Sequence, residues 1–287
     1  MIAFPRWRSV LFAILALVPV LAVSSTAAAS GIERIRQKGV LTVAMFAEDV
    51  PPFFYANAEG ALVGIDPMLA GGIAAKLGVR VVFDRSATTF DGVIDEVVTG
   101  RADIAVSLLS NTLERAMRVS FSRSYVSVRQ FLLINRLELG QLVAGARGAK
   151  AGAPVPRLLD DPVSHIGVIG GTSYVGFLKE DFPTAQAVEF DSWDPMLAAV
   201  KSGRLVALLY DEIEIGNWRL ADPAGSLELR PYHLVGHPDP IAIAVQQGDV
   251  DLKAWVDLYL DKMEANGQLA TLLKTYLYSG DRLLTND

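Results

Sequence analysis

Cysteine is absent from all 287 residues, which excludes disulfides, thiolate nucleophiles, cysteine metal ligands and lipid attachment at a cysteine following an export signal. Histidine is scarce, with three residues, and His233 and His237 lie in "HLVGHPDP". Gly236 and Pro238 there oppose a helix that would present both rings to one metal, so neither a metal nor a cofactor is expected. No serine stands in a nucleophile-elbow pattern. Positive charge is in deficit, 26 basic against 32 acidic residues for a net charge of -6. An acidic chain is a poor partner for nucleic acid or an anionic membrane surface, and neither partner is expected.

Long apolar runs are also lacking after the first thirty residues. The one run, Val10 to Val23, follows Arg6 and Arg8, contains Pro19, and precedes Ala27 and Ala29 at small-x-small spacing. It is shorter than the ~20 residues of a spanning helix, and the three-part pattern predicts a cleaved signal peptide over residues 1–29. Cleavage would remove Arg6 and Arg8 and no acid, taking the net charge from -6 to -8. Release into a bacterial periplasm is the expectation.

What is present is an alternation of short β-branched runs with helix-like stretches. "VLTVAMF", "VRVVFD", "ADIAVSLL", "HIGVIGG", "AQAVEF", "RLVALLYDE" and "IAIAVQQGD" read as strands. Between them, "GIDPMLAGGIAAKLG" reads as a helix with Asp66 at its N-cap and Gly78 as its stop, and "FDGVIDEVVTG" as a helix opened by Phe90. Phe53, Phe54 and Tyr55 read as core. The βαβα rhythm predicts an α/β fold with mostly parallel sheets. Residues 139–156, rich in Gly, Ala and Pro, read as a loop. "DEVVTGRADIAVSLL" is echoed by "AAVKSGRLVALLYDE", as two lobes of similar plan would require, or as chance likeness between two helix-to-strand turns.

Three segments beyond predicted strand ends carry chemistry, where open α/β sheets bind ligands. In "SLLSNTLERAMR", Asn111 and Glu114 have capping-box spacing and Arg115 falls in the first helical turn, where the helix dipole disfavours a cation. Arg115 is either a surface charge paired with Glu114 or another acid, or half of an anion site with Ser110, Thr112 and the first backbone N–H groups. In "GVIGGTSYVGF", a helix opening at Thr172 or Ser173 is either an anion site or a tight turn; the phosphate-loop lysine and dinucleotide glycine spacing are missing. In "ALLYDEIEIG", Asp211 or Glu212 could hold an ammonium, act as an acid or base, or cap the next helix. Adjacent strand residues point oppositely, so only one of the two should face a cleft.

From about Ile32 to Leu277, "LTVAMFAEDVPPFFYANAEGALVGIDPMLAGGIAAKLG", "FDGVIDEVVTGRADIAVS", "NTLERAMRVSFSRSY", "IGVIGGTSYVGFLKE", "SGRLVALLYDE" and "IAIAVQQGDVDL" occur in family order. Together they resemble the periplasmic solute-binding proteins of amino-acid ABC importers. The resemblance implies the type II periplasmic binding protein fold: lobe 1 from residues 30–134 and 240–287, lobe 2 from 135–239, joined by two crossover strands. It implies that Arg115 grips a ligand α-carboxylate with Ser110, Thr112, Thr172 and Ser173, that Asp211 accepts the α-ammonium, and that Phe90 covers the side chain. Closure would follow binding, and a membrane permease would be the partner of a monomer.

This chain departs from the family pattern at Ala47, where binders of basic amino acids carry an acid, and at Val50, where an aromatic is common. Leu108 stands where a small residue is usual, narrowing the pocket, and Met68 replaces a common aspartate. These departures favour a neutral or apolar amino acid or a related small carboxylate. Some relatives are cyclohexadienyl dehydratases; that alternative needs a general acid, for which Glu212 beside Phe90 is the nominee. A ligand sensor for a membrane receptor would share the same fold and site.

Overall fold

The computed structural model describes Met1 and residues 30–277, so the signal peptide expected over 1–29 falls outside the described residues apart from Met1. Along the chain run β1 (Val40–Phe46), β2 (Tyr55–Ala56), β3 (Leu62–Val63), β4 (Arg80–Ala87) and β5 (Ile104–Ala105). They are followed by β6 (Val119–Asn135), β7 (His165–Ile169), β8 (Gln186–Phe190), β9 (Ala207–Asp211) and β10 (Leu229–Gln246). Eight of them form one sheet in the order β4-β1-β5-β10-β6-β9-β7-β8, and β2 pairs with β3 separately. At 17 and 18 residues, β6 and β10 are about three times the usual strand length. They pair antiparallel with each other and run through both halves of the molecule.

On either side of this crossing pair the strands are parallel, β1 with β4 and β5 in one lobe, β7 with β8 and β9 in the other. The echo noted in the sequence is structural. β5 lies between parallel β1 and antiparallel β10, and β9 lies between parallel β7 and antiparallel β6. Two lobes therefore repeat one plan, and the chain segments leaving β5 and β9 meet in the same interlobe cavity.

Each half-sheet is covered by helices on both faces, because its strands are apolar on both. In the first lobe Phe53, Phe54 and Ile73 fill one core and Val93, Ile94 and Val97 the other. The helix Phe90–Val98 shows why. Thr89 caps it by accepting from Gly92 N at 2.9 Å, and Val93, Ile94 and Val97 fall at helical spacing on the face that meets the sheet. Each such side chain contributes about 1.5–3 kcal/mol by leaving water.

Three local expectations are corrected. Asp66 is not an N-cap: the helix Ile65–Leu77 starts from Gly64, while the Asp66 carboxylate turns inward. Asn111 is not a cap either, since Thr112 opens the four-residue helix Leu113–Ala116 and accepts from Arg115 N at 3.2 Å. The loop expected over 139–156 is largely helical, with a helix at Arg136–Gly145, a 3-10 turn at Gly148–Lys150 and a helix beginning at Val155. Asn135 caps the first of these, and only Leu139 and Leu142 lean on the core. A surface helix so rich in Gly and Ala leaves almost no apolar period to read.

Candidate functional site

The short helix after β5 turns Arg115 inward rather than to solvent. Arg115 is 5% exposed, and its Nε and Nη2 donate to Asp91 Oδ1 at 3.1 and 2.8 Å. Asp91, in the first turn of the Phe90–Val98 helix, thus supplies the negative charge that an arginine near a helix N-terminus needs. The partner is neither Glu114 nor a fully solvated surface acid. Nη1 makes only a long contact with Ser110 O, 3.4 Å, and the guanidinium lines the interlobe cavity.

From the other lobe, β9 delivers Asp211 to the same cavity. Its Oδ1 accepts from Ile213 N and Glu214 N, both at 2.8 Å, capping the helix Glu212–Ala221. Capping and cavity lining are therefore one placement, with Oδ2 left over from the cap. Burial pushes this carboxyl up to about 6, against the pull of those two N–H groups. Of the adjacent acids only Asp211 faces the cavity. Glu212 accepts from Arg129 N at 2.9 Å and Arg129 Nε at 2.7 Å, tying its helix to β6.

Two adjoining pockets share Phe90, Leu108, Thr172, Tyr210 and Asp211 and form one cavity between the lobes. Its inner end holds Arg115, Asp211, Asp239, Ser110, Ser173 and Tyr174. Its mouth is lined by Glu48, Asp49, Asp191 and Glu214 beside Phe46 and Trp193, with no lysine or arginine among the described lining residues. Aromatic rings wall it on both sides. Phe46 stacks on Phe90 at 4.7 Å in one lobe, while Tyr210 stacks on Tyr174 at 4.9 Å and meets Trp193 at 5.7 Å in the other.

The lobes touch around this cavity. Ser110 Oγ lies 2.7 Å from Ser173 Oγ, Asp91 N donates to Gly171 O at 3.0 Å, and Asn217 Nδ2 donates to Pro51 O at 3.2 Å. Gly171 is required twice over: its φ is +69°, and a Cβ there would sit 2.9 Å from Thr89 Cβ of the facing lobe.

The model of the bacterial extracellular solute-binding proteins, family 3, matches residues 41–279. The chain belongs to this family. This solute-binding protein is 24% identical over 227 residues to a putative ABC transporter arginine-binding protein 2 of Escherichia coli K12, across 77% of this chain and 84% of that one. A cyclohexadienyl dehydratase of Pseudomonas aeruginosa is 35% identical over 97 residues, 34% of this chain and 35% of that one. The crystal structure of an ancestral amino acid-binding protein, described as a precursor of cyclohexadienyl dehydratase, superposes with a TM-score of 0.65 at 27% identity. It covers 86% of this chain and 99% of that one. No helix among the described residues is long and apolar enough to cross a membrane.

In this solute-binding protein seven of the eight residues singled out from sequence, Phe90, Leu108, Ser110, Arg115, Thr172, Ser173 and Asp211, line the inner pocket. Thr112 does not: its hydroxyl serves the helix cap, and it lines a separate cleft behind Arg115. Thr172 donates its hydroxyl to Ile169 O at 2.6 Å, closing the turn after β7. Leu108 holds a left-handed φ of +47°, uncommon for a side chain of this size, and its N–H donates to Asp66 Oδ2 at 2.7 Å. Tyr125 Oη donates to Asp66 Oδ1 at the same distance, and burial pushes Asp66 up to about 7 against both bonds.

Sequence reasoning missed Asp239, Tyr174, Tyr210, Trp193 and the acids of the mouth. Asp239 in "HPDP" carried one usable signal, an acid just ahead of the apolar run "IAIAV". The two tyrosines sit among residues that read as ordinary core positions, and nothing local marks them. Glu214 is pushed up to about 7, by burial first and then by Asp211 and Asp194.

Proposed function

We propose that this protein captures an amino acid with a cationic side chain between its lobes and that the closed, monomeric form presents it to an ABC-type permease. The observation that carries the reading is an interlobe cavity lined by Arg115 from one lobe and Asp211 from the other. An α-carboxylate at Arg115 and an α-ammonium at Asp211 bring both charges together only when the lobes meet, so binding and closure are one equilibrium. The acid-lined mouth supports the choice of side chain. Glu48, Asp191 and Glu214 attract a cation, Asp49 being already paired with Arg85 at 2.9 Å, and Phe90 and Trp193 in the same lining offer ring faces to a guanidinium or ammonium. The neutral ligand suggested by Ala47 fits this lining less well: the acids at the mouth supply charge that position 47 does not.

The same lining opposes the dehydratase alternative. Prephenate and arogenate each carry a second carboxylate, which would face the unpaired acids of the mouth, and Glu212, the nominated general acid, is held by Arg129 outside the cavity lining. A thermal-shift panel tests the reading. L-Arginine, L-lysine or L-ornithine should raise the melting temperature while L-leucine and L-glutamate leave it unchanged, and Arg115→Ala should erase the shift while the ligand-free protein stays folded. A larger shift with L-leucine would reverse the side-chain assignment. Aromatic product from prephenate or arogenate would replace it with the enzyme.

A further inference from the structure

We infer that Asp239, supplied by the crossing strand β10 rather than by either lobe's strand ends, is a ligand-contacting carboxyl that shares the ligand's primary ammonium with Asp211. The inference rests on the proposed amino-acid site and extends it by one residue.

Asp239 is 1% exposed and lines the inner cavity beside Arg115 and Asp211. Its Oδ2 accepts from Ser110 Oγ at 2.9 Å, and Ser110 Oγ meets Ser173 Oγ of the opposite lobe at 2.7 Å. The carboxyl is therefore oriented by a chain that spans the interlobe seam. Its Oδ1 and Tyr174 Oη of the same cavity are both buried and neither makes a well-formed hydrogen bond, although Tyr174 is near enough to stabilise the Asp239 carboxylate. Buried polar atoms are rarely left so, and two of them together mark a place built for a polar group.

The count of acceptors identifies that group. A primary ammonium carries three N–H donors and no acceptor. Asp211 has committed Oδ1 to the helix Glu212–Ala221, so it offers Oδ2 alone and cannot satisfy an ammonium by itself. Asp239 Oδ1 and Tyr174 Oη complete the three. Charge agrees with the count, because the ionisable groups facing Asp239 are Asp211 and Tyr174 from one lobe and Arg115 from the other. Two carboxyls and one guanidinium leave the inner end short of a cation once a ligand carboxylate pairs with Arg115. Without a cation, burial and the Asp211 charge hold the Asp239 proton up to about 7, against hydrogen bonding from Ser110 and Tyr174 and the charge of Arg115. An ammonium reverses that balance, so binding near neutral pH releases a proton from Asp239.

Isothermal titration calorimetry with L-arginine and with 5-guanidinopentanoate, the same molecule without its α-amine, tests this directly. Asp239→Asn keeps the bond to Ser110 and should weaken L-arginine by roughly 10- to 100-fold, while changing 5-guanidinopentanoate by less than about 3-fold. Repeating the titration at pH 7 in buffers of different ionisation enthalpy should show about half a proton more released by the unaltered protein than by the Asn variant. Tyr174→Phe leaves the Asp239–Ser110–Ser173 chain intact and should also weaken L-arginine selectively, which keeps the test decisive if the Asn variant does not fold. Unchanged affinity, or equal loss for both probes, overturns the role of Asp239 and leaves the amino-acid site standing. Failure of the unaltered protein to bind either probe overturns the site and the inference together.

Discussion

Asp66 shows how a residue's neighbours in space can override its neighbours in sequence. "GIDPM" has what a helix N-cap needs, an acid followed by proline at the first helical position, yet the carboxyl is fully buried and holds Leu108 N and Tyr125 Oη instead. Its role is to pin the strained Leu108 backbone at the cavity wall. Asp66→Ala should leave both donors unpaired and cost about 2 kcal/mol, lowering the melting midpoint by roughly 4–8 °C and weakening ligand binding through the loosened Leu108. A variant with unchanged melting temperature and affinity would show that the loop is held by packing alone. Arg115 was legible as a charge in an unfavourable place, but its actual partner, Asp91, is 24 residues earlier in the chain. No local rule pairs those two.

At the level of the element, the helix Glu212–Ala221 and the cavity depend on the same side chain. Asp211 was legible as either a cap or an ammonium acceptor, and the geometry makes these two uses of its two oxygens. The uses can be separated. Asp211→Asn preserves the cap, because asparagine caps as well as aspartate, and should leave the ligand-free protein as stable as before while weakening amino acids by roughly 10- to 100-fold. Asp211→Ala should lose the same affinity and in addition about 1 kcal/mol of stability, seen in a chemical denaturation midpoint. Equal stability for the two variants would mean that the cap contributes nothing. Strands β7 and β9 were readable as apolar runs ending at glycine or acid. The helix Arg136–Gly145 was not, because three of its ten positions are Gly or Ala and its contact with the core is limited to Leu139 and Leu142.

Across the whole molecule, several carboxyls are held as acids that would titrate near pH 4 in an unfolded chain. Asp66, Glu214 and Asp239 are pushed up to about 7 and Asp211 to about 6, burial being the first cause in each. The folded state therefore binds protons that the unfolded state has released between about pH 4 and 7. Their stabilising contribution is fully present below about pH 4 and is lost as pH rises through about 7. The ligand-free protein should melt at a higher temperature at pH 5 than at pH 8, and a cationic ligand should flatten that slope by meeting the ionised forms. Differential scanning calorimetry at several pH values would read both effects. A melting temperature that rises from pH 5 to pH 8 would contradict the burial of these groups.

The sequence by itself determined the α/β alternation, the two-lobed plan, and most of the residues around the inner cavity. The alternation follows from periodicity and turn residues, which are properties of neighbouring positions, while the lobes and the cavity residues follow from the order of motifs that resembles the family. Only the tertiary structure decided which acid neutralises Arg115, that Glu212 serves β6 while Asp211 serves the cavity, and that Asp239 and a ring of mouth acids converge there. Those outcomes depend on burial and on distances between segments dozens to more than a hundred residues apart. Desolvation and charge pairing are set by what surrounds a side chain in space.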